Sequence, residues 1–560
     1  MLANGAQITF TILGLLSWFT FAVPVPEPGI GSDINFVFDS ELPLLKLPYA
    51  TYRASSYDKL HDIYKFKNIR FAAPPTGENR WQKPSPPLQQ SEVQTGDVGY
   101  ICMQAVPEFL KLAYPILTIQ AQSEDCLFLD VLVPGTVIRG QAKSLLPVVV
   151  WLYGGGYTAG SKDFFVYDGM PIVKSAQNAV IYVAPNYRLG AYGFLAGQTV
   201  EQQGGVPNAG FWDQRAAFQW IQDHIALVGG DKTAVTVMGE SAGAGSITHH
   251  LIANGGTIDP LFTKAIIQSP AWLPQYDPGQ LETQYASFEA RAGCAGKGLP
   301  CLRNLPTEII DTANRGVISS QPYGMFGFGP AIDSTFQDLP SSEFAKGRYW
   351  KNLEAVIVGH TAHEGVLFTP PSINSSNVRP LLQGIYFPNA TSATIQKMME
   401  LYPEPGILQK YIINYTRAID LVGQYVVNCN TRAIAEAYAG KSYTYRFGFA
   451  TGMHSEDIPF TFFKTGGKLG PLELDLDLNG QNFATSWQSY LTSFIRSGNP
   501  NTLPTAGVLQ PPAQWLIAKI DAKVTSLNVG FLKYEMQSND DLDSARCDFW
   551  KSGVWTGRSG

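Results

Sequence analysis

The sequence predicts an α/β fold with a large, mainly parallel central sheet flanked by helices. Three observations carry that expectation. Short apolar runs rich in β-branched residues recur along the chain, and a stretch of helical periodicity falls between two of them. The third is length: 560 residues can bury a large core without help from metals or oligomers. Composition agrees, since 45% hydrophobic and 15% charged residues describe a globular chain, and 54 glycines with 38 prolines are too many for a helical bundle.

Taken in chain order, the first element is a leader. Residues 8–23 are mostly apolar, and Pro24, Pro26 and Pro28 then break any helix. This is the form of a secretory signal peptide over residues 1–22, cleaved near Ala22, with residues 23–560 as a single catalytic domain carrying long insertions. No lysine or arginine precedes the apolar stretch, so a buried N-terminal helix or a signal anchor is the alternative. No stable membrane span is expected, because this stretch is short and no other segment reaches the roughly 20 apolar residues a span needs.

The strands expected next are residues 146–152, 179–184, 234–238, 264–268, 355–358 and 442–447. Between the second and third, Phe211, Phe218, Ile221 and Ile225 fall at roughly helical spacing. Strands alternating with helices imply a sheet covered on both faces. Near the end, Phe483, Trp487, Tyr490, Leu491, Phe494 and Ile495 mark one face of a helix that Gly498 stops, and this aromatic stripe reads as core packing. No internal repeat or low-complexity tract interrupts the pattern.

Six cysteines fit an oxidising compartment. Their number leaves many pairings open; proximity favours Cys102 with Cys126 and Cys294 with Cys301, which leaves Cys429 and Cys547. Sequons at Asn374, Asn389 and Asn414 agree with secretion as glycosylation acceptors. The net charge of -6 and the absence of any Lys/Arg run exclude the electrostatic footprint of a nucleic-acid or anionic-membrane binder.

The sharpest chemical signal is Gly239-Glu240-Ser241-Ala242-Gly243, which follows an apolar strand and precedes small residues able to open a helix. A tight turn there would hold Ser241 in a strained conformation, with glycine at 239 and 243 where a Cβ would clash. A serine nucleophile needs a base and donors for the oxyanion. The run Gly154-Gly155-Gly156 after the strand 146–152 leaves backbone N–H groups free, so Gly155, Gly156 and Ala242 form the expected oxyanion hole.

Seven histidines compete for the base: His61, His224, His249, His250, His360, His363 and His454. The chain order serine, acid, histidine excludes the first two. His249 and His250 ride the helix that leaves Ser241, and His360 or His363 would need an acid later in the chain. His454 lies in a polar loop just past strand 442–447, where catalytic groups of parallel sheets collect. Glu364, following strand 355–358, is the expected acid, with Asp333 as its competitor. The segment His360-Thr361-Ala362-His363-Glu364 has the wrong order for the helical zinc motif, and no metal or cofactor is expected.

With these residues in place, the chain resembles the type B carboxylesterase family, which includes cholinesterases and secreted fungal lipases. The resemblance runs from Phe66-Lys67-Asn68-Ile69-Arg70-Phe71-Ala72-Ala73-Pro74-Pro75 through Glu124-Asp125-Cys126-Leu127-Phe128-Leu129-Asp130-Val131 and Asn186-Tyr187-Arg188-Leu189-Gly190. It continues through Asn208-Ala209-Gly210-Phe211-Trp212-Asp213-Gln214 and closes at Cys547-Asp548-Phe549-Trp550. It implies an α/β-hydrolase fold, a triad of Ser241, Glu364 and His454, oxyanion donors at Gly155, Gly156 and Ala242, and disulfides matching the three cysteine pairs. One departure is Val228-Gly229-Gly230-Asp231, where members commonly carry phenylalanine first. Another is the loop between Cys102 and Cys126, which lacks the tryptophan that holds a quaternary ammonium, so choline esters are disfavoured.

That loop instead offers Phe109, Leu110, Leu112, Ala113, Tyr114, Ile116, Leu117 and Ile119, resembling a lipase lid; an ordinary packed loop is the alternative. The expected function is secreted, extracellular hydrolysis of small-molecule or lipid-like carboxylic esters through an acyl-serine. An acyltransferase or biosynthetic transesterase on the same scaffold is the rival. Because the base must be neutral, activity is expected to rise through the ordinary histidine pKa of about 6.5.

Overall fold

The computed structural model describes residues 42–111, 121–272, 276–333, 335–336, 339–449, 451–464, 478–502, 513–530 and 533–556. The expected signal peptide lies outside them, as do Leu112, Ala113, Tyr114, Ile116, Leu117 and Ile119 of the candidate lid.

Among the described residues the dominant sheet has eleven strands. They are β1 (Ser56–Asp58), β2 (Ile63–Arg70), β3 (Phe128–Pro134), β4 (Leu146–Leu152), β5 (Ile181–Pro185), β6 (Gly230–Glu240), β7 (Lys264–Gln268), β8 (Ala355–Thr361), β9 (Ser442–Phe447), β10 (Val524–Gly530) and β11 (Lys533–Asn539). Their spatial order is β11-β10-β9-β8-β7-β6-β4-β5-β3-β2-β1. From β10 across to β5 every neighbouring pair is parallel. The outer pairs on both sides are antiparallel, so the sheet is mixed at its edges. All six strands expected from the sequence are present.

The central strands are apolar on both faces because both faces are covered. Along β4, Val148, Val150 and Leu152 enter one core layer while Val149 and Trp151 enter the other. The alternation is period two even though the run itself is uninterruptedly apolar. The helices that matter below are α1 (Ala209–His224), α2 (Ala242–Gly256), α3 (Asn414–Gly423), α4 (Cys429–Ala437), α5 (Leu478–Ser497) and α6 (Ser544–Lys551). Ile247 and Leu251 of α2 pack in the layer of Val148. The whole expected stripe of α5, from Phe483 to Ile495, is buried in the opposite layer. Among the described residues no helix is long and apolar enough to cross a membrane.

Cysteines pair as 102–126, 294–301 and 429–547, the last tying α4 to α6 across 118 residues of chain. The scattered sequence motifs also meet. Arg70 grips Asp125, Arg80 grips Glu124 through Nε and Nη2 at 2.8 and 2.6 Å, and Arg188 grips Asp213 at 2.7 Å through both Nε and Nη2. Arg188 and Asp213 are both buried, and removing one partner of such a pair costs about 3–5 kcal/mol. That pair anchors α1. The next residue of α1, Gln214, donates to Ser246 Oγ at 3.0 Å, and Ser246 donates to the carbonyl of Ala242 at 2.8 Å. The helix behind Ser241 is thus tied to the motif network.

Candidate active site

Ser241 sits between the end of β6 and the start of α2 with φ 56° and ψ -123°. A non-glycine residue held there stores roughly 1–3 kcal/mol of backbone strain, and its surroundings must hold it. They do so through the N–H of Ser241, which donates to the Gln268 carbonyl at 3.0 Å, and through its own carbonyl, which accepts from Gly245 and Ala271. The turn is so close to β4 that a Cβ on Gly243 would lie 2.1 Å from the Leu152 oxygen, and one on Gly239 would meet Gly243 and Leu152 backbone under 3 Å. These two glycines are steric requirements of the turn, as the sequence led us to expect.

The turn thrusts Ser241 toward His454. Ser241 Oγ lies 2.8 Å from His454 Nε2, and His454 Nδ1 lies 2.5 Å from Glu364 Oε2. All three residues are buried. Nδ1–H donates to the carboxylate, which leaves the Nε2 lone pair to accept the serine proton. Glu364 enters from the turn after β8, and its other oxygen accepts from Ser269 Oγ at 2.7 Å and from the Thr361 N–H at 2.6 Å. Burial opposes its charge, but the imidazole and these donors outweigh burial and hold the carboxyl below the usual range.

Beside the elbow runs the segment after β4. A Cβ on Gly154 would lie 2.8 Å from Ser241 Cβ, so the glycine run borders the nucleophile. Gly155 has φ +114°, open to glycine alone, and a Cβ there would strike the Ala159 oxygen at 2.1 Å. Among the described residues, the N–H groups of Gly155, Gly156 and Ala242 donate to no protein acceptor.

An aromatic wall stands over these groups. Phe368 meets the His454 ring edge-on at 5.1 Å, and Phe326 packs on Gly156. Phe109, from the candidate lid, lies 5.5 Å from Phe326. Leu110 is buried in the core beside them.

Other sequence candidates fall elsewhere. Asp333 accepts from Asn208 and from the backbone of Thr335 and Phe336, away from His454. His249 and His250 are buried against Phe211. His360 is held between the Thr361 carbonyl at Nδ1 and Asn539 at Nε2. Asn374 and Asn389 are exposed and Asn414 is half-buried.

Two acids escaped the sequence reading. Glu240 Oε1 lies 3.3 Å from His454 Nε2 and accepts from Ser455 Oγ at 2.6 Å; burial, foremost, pushes its carboxyl up to about 7. Asp457 accepts from Tyr445 and Gln268 at 2.6 and 2.9 Å, and burial pushes it up to about 6. Burial alone would lower the His454 pKa, yet Glu364 and Glu240 outweigh it and raise it to about 9. With the imidazole raised in this way, the rise in activity is expected at higher pH than an ordinary histidine gives. The neutral base gains population as pH rises toward that value, so kcat/KM for a soluble ester is expected to climb above pH 7 with a midpoint above 6.5. Glu240→Gln removes one of the raising charges and should lower that midpoint; a native midpoint at or below 6.5 in a pH–rate profile would contradict this reading.

Comparison with known proteins gives the same setting. A model of the carboxylesterase family matches residues 51–550. A secreted lipase of Arthroderma benhamiae is 33% identical over 93% of this chain and 94% of its own. Carboxylesterase patB of Aspergillus clavatus is 32% identical, covering 91% of this chain and 96% of its own. The crystal structure of Aspergillus niger EstA aligns with a TM-score of 0.78 at 27% identity, over 93% of this chain and 100% of that one. Matched over that span and at that identity, the chain belongs to the carboxylesterase family.

Proposed function

We propose that the protein is a secreted serine hydrolase that cleaves carboxylic esters through an acyl-serine intermediate, with Ser241 as nucleophile, His454 as general base and Glu364 as the orienting acid. The hydrogen-bonded line from Glu364 through His454 to Ser241 carries this reading. Its chemistry follows from the atoms. Nε2 of His454 takes the Ser241 proton as Oγ attacks the ester carbonyl carbon, and the negative charge on the carbonyl oxygen falls to the N–H groups of Gly155, Gly156 and Ala242. The imidazolium proton passes to the leaving alcohol oxygen. Water then attacks the acyl carbon with His454 again as base, the acyl–Oγ bond breaks as the imidazolium returns its proton to Ser241 Oγ, and the carboxylic acid leaves. Glu364 and Glu240 both favour the transient imidazolium.

A hydrophobic or lipid-like ester suits the wall of Phe109, Phe326 and Phe368. Secretion is supported by the three disulfides and by the relative named a secreted lipase. Asn374, Asn389 and Asn414 remain the acceptor sites we assign to N-glycans.

The test is the initial rate on p-nitrophenyl esters of increasing acyl length, with products analysed in water and in a competing alcohol. Hydrolysis that favours medium or long acyl chains is expected. Transfer to the alcohol in strong preference to water would favour the acyltransferase rival.

A further inference from the structure

The loop joining the end of the segment after Tyr402 to helix α3 exposes an unusual amount of aliphatic surface. Ile407 is 98% exposed, Leu408 96%, Ile412 74% and Ile413 49%. One open leucine on a protein surface is ordinary; four aliphatic side chains in one short loop, two of them almost wholly in water, form a patch that asks for an apolar partner. The loop is held in this posture. The Gly406 N–H donates to the Tyr411 carbonyl and the Gln409 N–H to the Gly406 carbonyl, both at 3.0 Å, so Ile407 and Leu408 form the tip of a closed turn. Tyr411 is buried beneath it, with its hydroxyl on Asp420.

Position relates the patch to the cleft. Helical backbone runs from Asn414 through Ala437 back to the start of β9, so its N-terminus stands on the side where the parallel strands end. That side carries Ser241, Glu364 and His454. Helix α3 packs directly on the Glu364 turn, where a Cβ on Gly365 would strike the Ile419 oxygen at 2.0 Å. Charge decides the kind of partner. The loop's two charged residues are of opposite sign and each is paired, Glu404 with Arg417 at 2.7 Å and Lys410 with Asp420 at 2.6 Å. Nothing in the loop favours an anionic surface, and aliphatic side chains that protrude with no unpaired charge beside them suit a neutral apolar phase.

We propose that Ile407, Leu408, Ile412 and Ile413 form the surface by which the protein docks on the neutral apolar interface of aggregated ester, presenting the cleft to substrate that is not dissolved. This rests on the ester-hydrolase reading. Insertion of the tip orients the strand-end face of the sheet toward the interface, so docking raises turnover of aggregated ester and leaves soluble ester untouched.

The experiment compares native protein with the triple variant Ile407→Ser, Leu408→Ser, Ile412→Ser, whose substitutions lie in open solvent. Both are read as expressed and again after enzymatic deglycosylation, because a glycan on Asn414 would stand on the same surface, and docking is scored on the protein as expressed. Rates are read on p-nitrophenyl acetate in solution and on a triolein emulsion. Adsorption to triolein droplets is read by flotation of the same proteins carrying Ser241→Ala, so that docking is scored without catalysis. The expected result is an unchanged soluble rate with adsorption and emulsion rate both down by about tenfold or more. Equal flotation of variant and native protein overturns the proposal, as does a variant that only converts a dimer to a monomer in light scattering while adsorbing normally. Failure of both soluble and emulsion hydrolysis in the native protein strikes the ester-hydrolase reading instead, while flotation still scores docking.

Discussion

Replacing Ser241 with alanine is expected to lower kcat for ester hydrolysis by on the order of 10⁵–10⁶-fold, with little change in folding. The hydroxyl sits 2.8 Å from the only imidazole at the elbow among the described residues, and no other nucleophile is positioned to replace it. Alanine keeps the Cβ, and the strained backbone at φ 56° is held by the Gln268 carbonyl and by N–H groups of Gly245 and Ala271, none of which involves the hydroxyl. A residual rate over water should survive from the oxyanion donors. Initial rates on p-nitrophenyl butyrate, with thermal melting as the folding control, measure this. A variant that retains a tenth of native activity would remove Ser241 from the chemistry.

Glu364→Gln is the second large effect, at about 10⁴-fold in kcat. The argument turns on which end of the amide faces the histidine. Ser269 Oγ and the Thr361 N–H both donate to one carboxylate oxygen of Glu364, so they will select the amide oxygen of glutamine. That leaves the NH₂ facing His454 Nδ1, which must then accept, and the imidazole proton moves to Nε2 where the serine proton has to go. The substitution preserves size and packing but installs the wrong tautomer. Losing the Glu364 charge also lowers the His454 pKa, so the residual activity should show a pH–rate midpoint shifted down from the native one. Activity within tenfold of native, with an unmoved midpoint, would contradict the orienting role. Adding Ser269→Ala to Glu364→Gln should restore part of the rate, because it releases one of the two donors that force the amide's orientation.

The central strands and the elbow could be read from the sequence because their physics is local. Uninterrupted apolar runs such as 148–152 can only be buried strands or helix segments, and their length and β-branching decide between these. Glycine at 239 and 243 is dictated by the approach of β4, and the flanking strand-then-small-residue pattern announces the turn. Strand β3 is not announced by the sequence because Asp130 interrupts its apolar run. Asp130 is tolerated there because Lys162, distant in sequence, places its amine 2.7 Å away, Lys65 approaches to 3.4 Å and the Asn68 N–H also donates to it. The edge strands β1 and β11, and β10 beside the latter, carry no strong apolar signal and are set by pairing with neighbours.

At the site the same division holds. Ser241, His454 and Glu364 were put forward from chain order and loop position and the fold brings them together, whereas their supporting partners could not be read. Ser269 follows β7 in a stretch with no motif, and only the folded sheet brings it under Glu364. Glu240 was visible as a member of the elbow, but its approach to Nε2 depends on the direction its side chain takes from the end of β6. The loop His454-Ser455-Glu456-Asp457 looks solvent-facing from its letters, yet His454 and Asp457 are buried; burial raises the Asp457 carboxyl, whereas for His454 the charges of Glu364 and Glu240 overcome it. A pKa expectation taken from residue type alone leaves out these neighbours of His454.

The most direct test of the catalytic assignment is peptide mapping after stoichiometric inactivation by a fluorophosphonate, which phosphonylates only an activated serine. The expected result is a single adduct on the peptide carrying Ser241, formed in proportion to activity lost, absent in Ser241→Ala and strongly slowed in His454→Ala. Complete inactivation with the adduct on another residue, or an adduct on Ser241 that forms equally fast without His454, would contradict it.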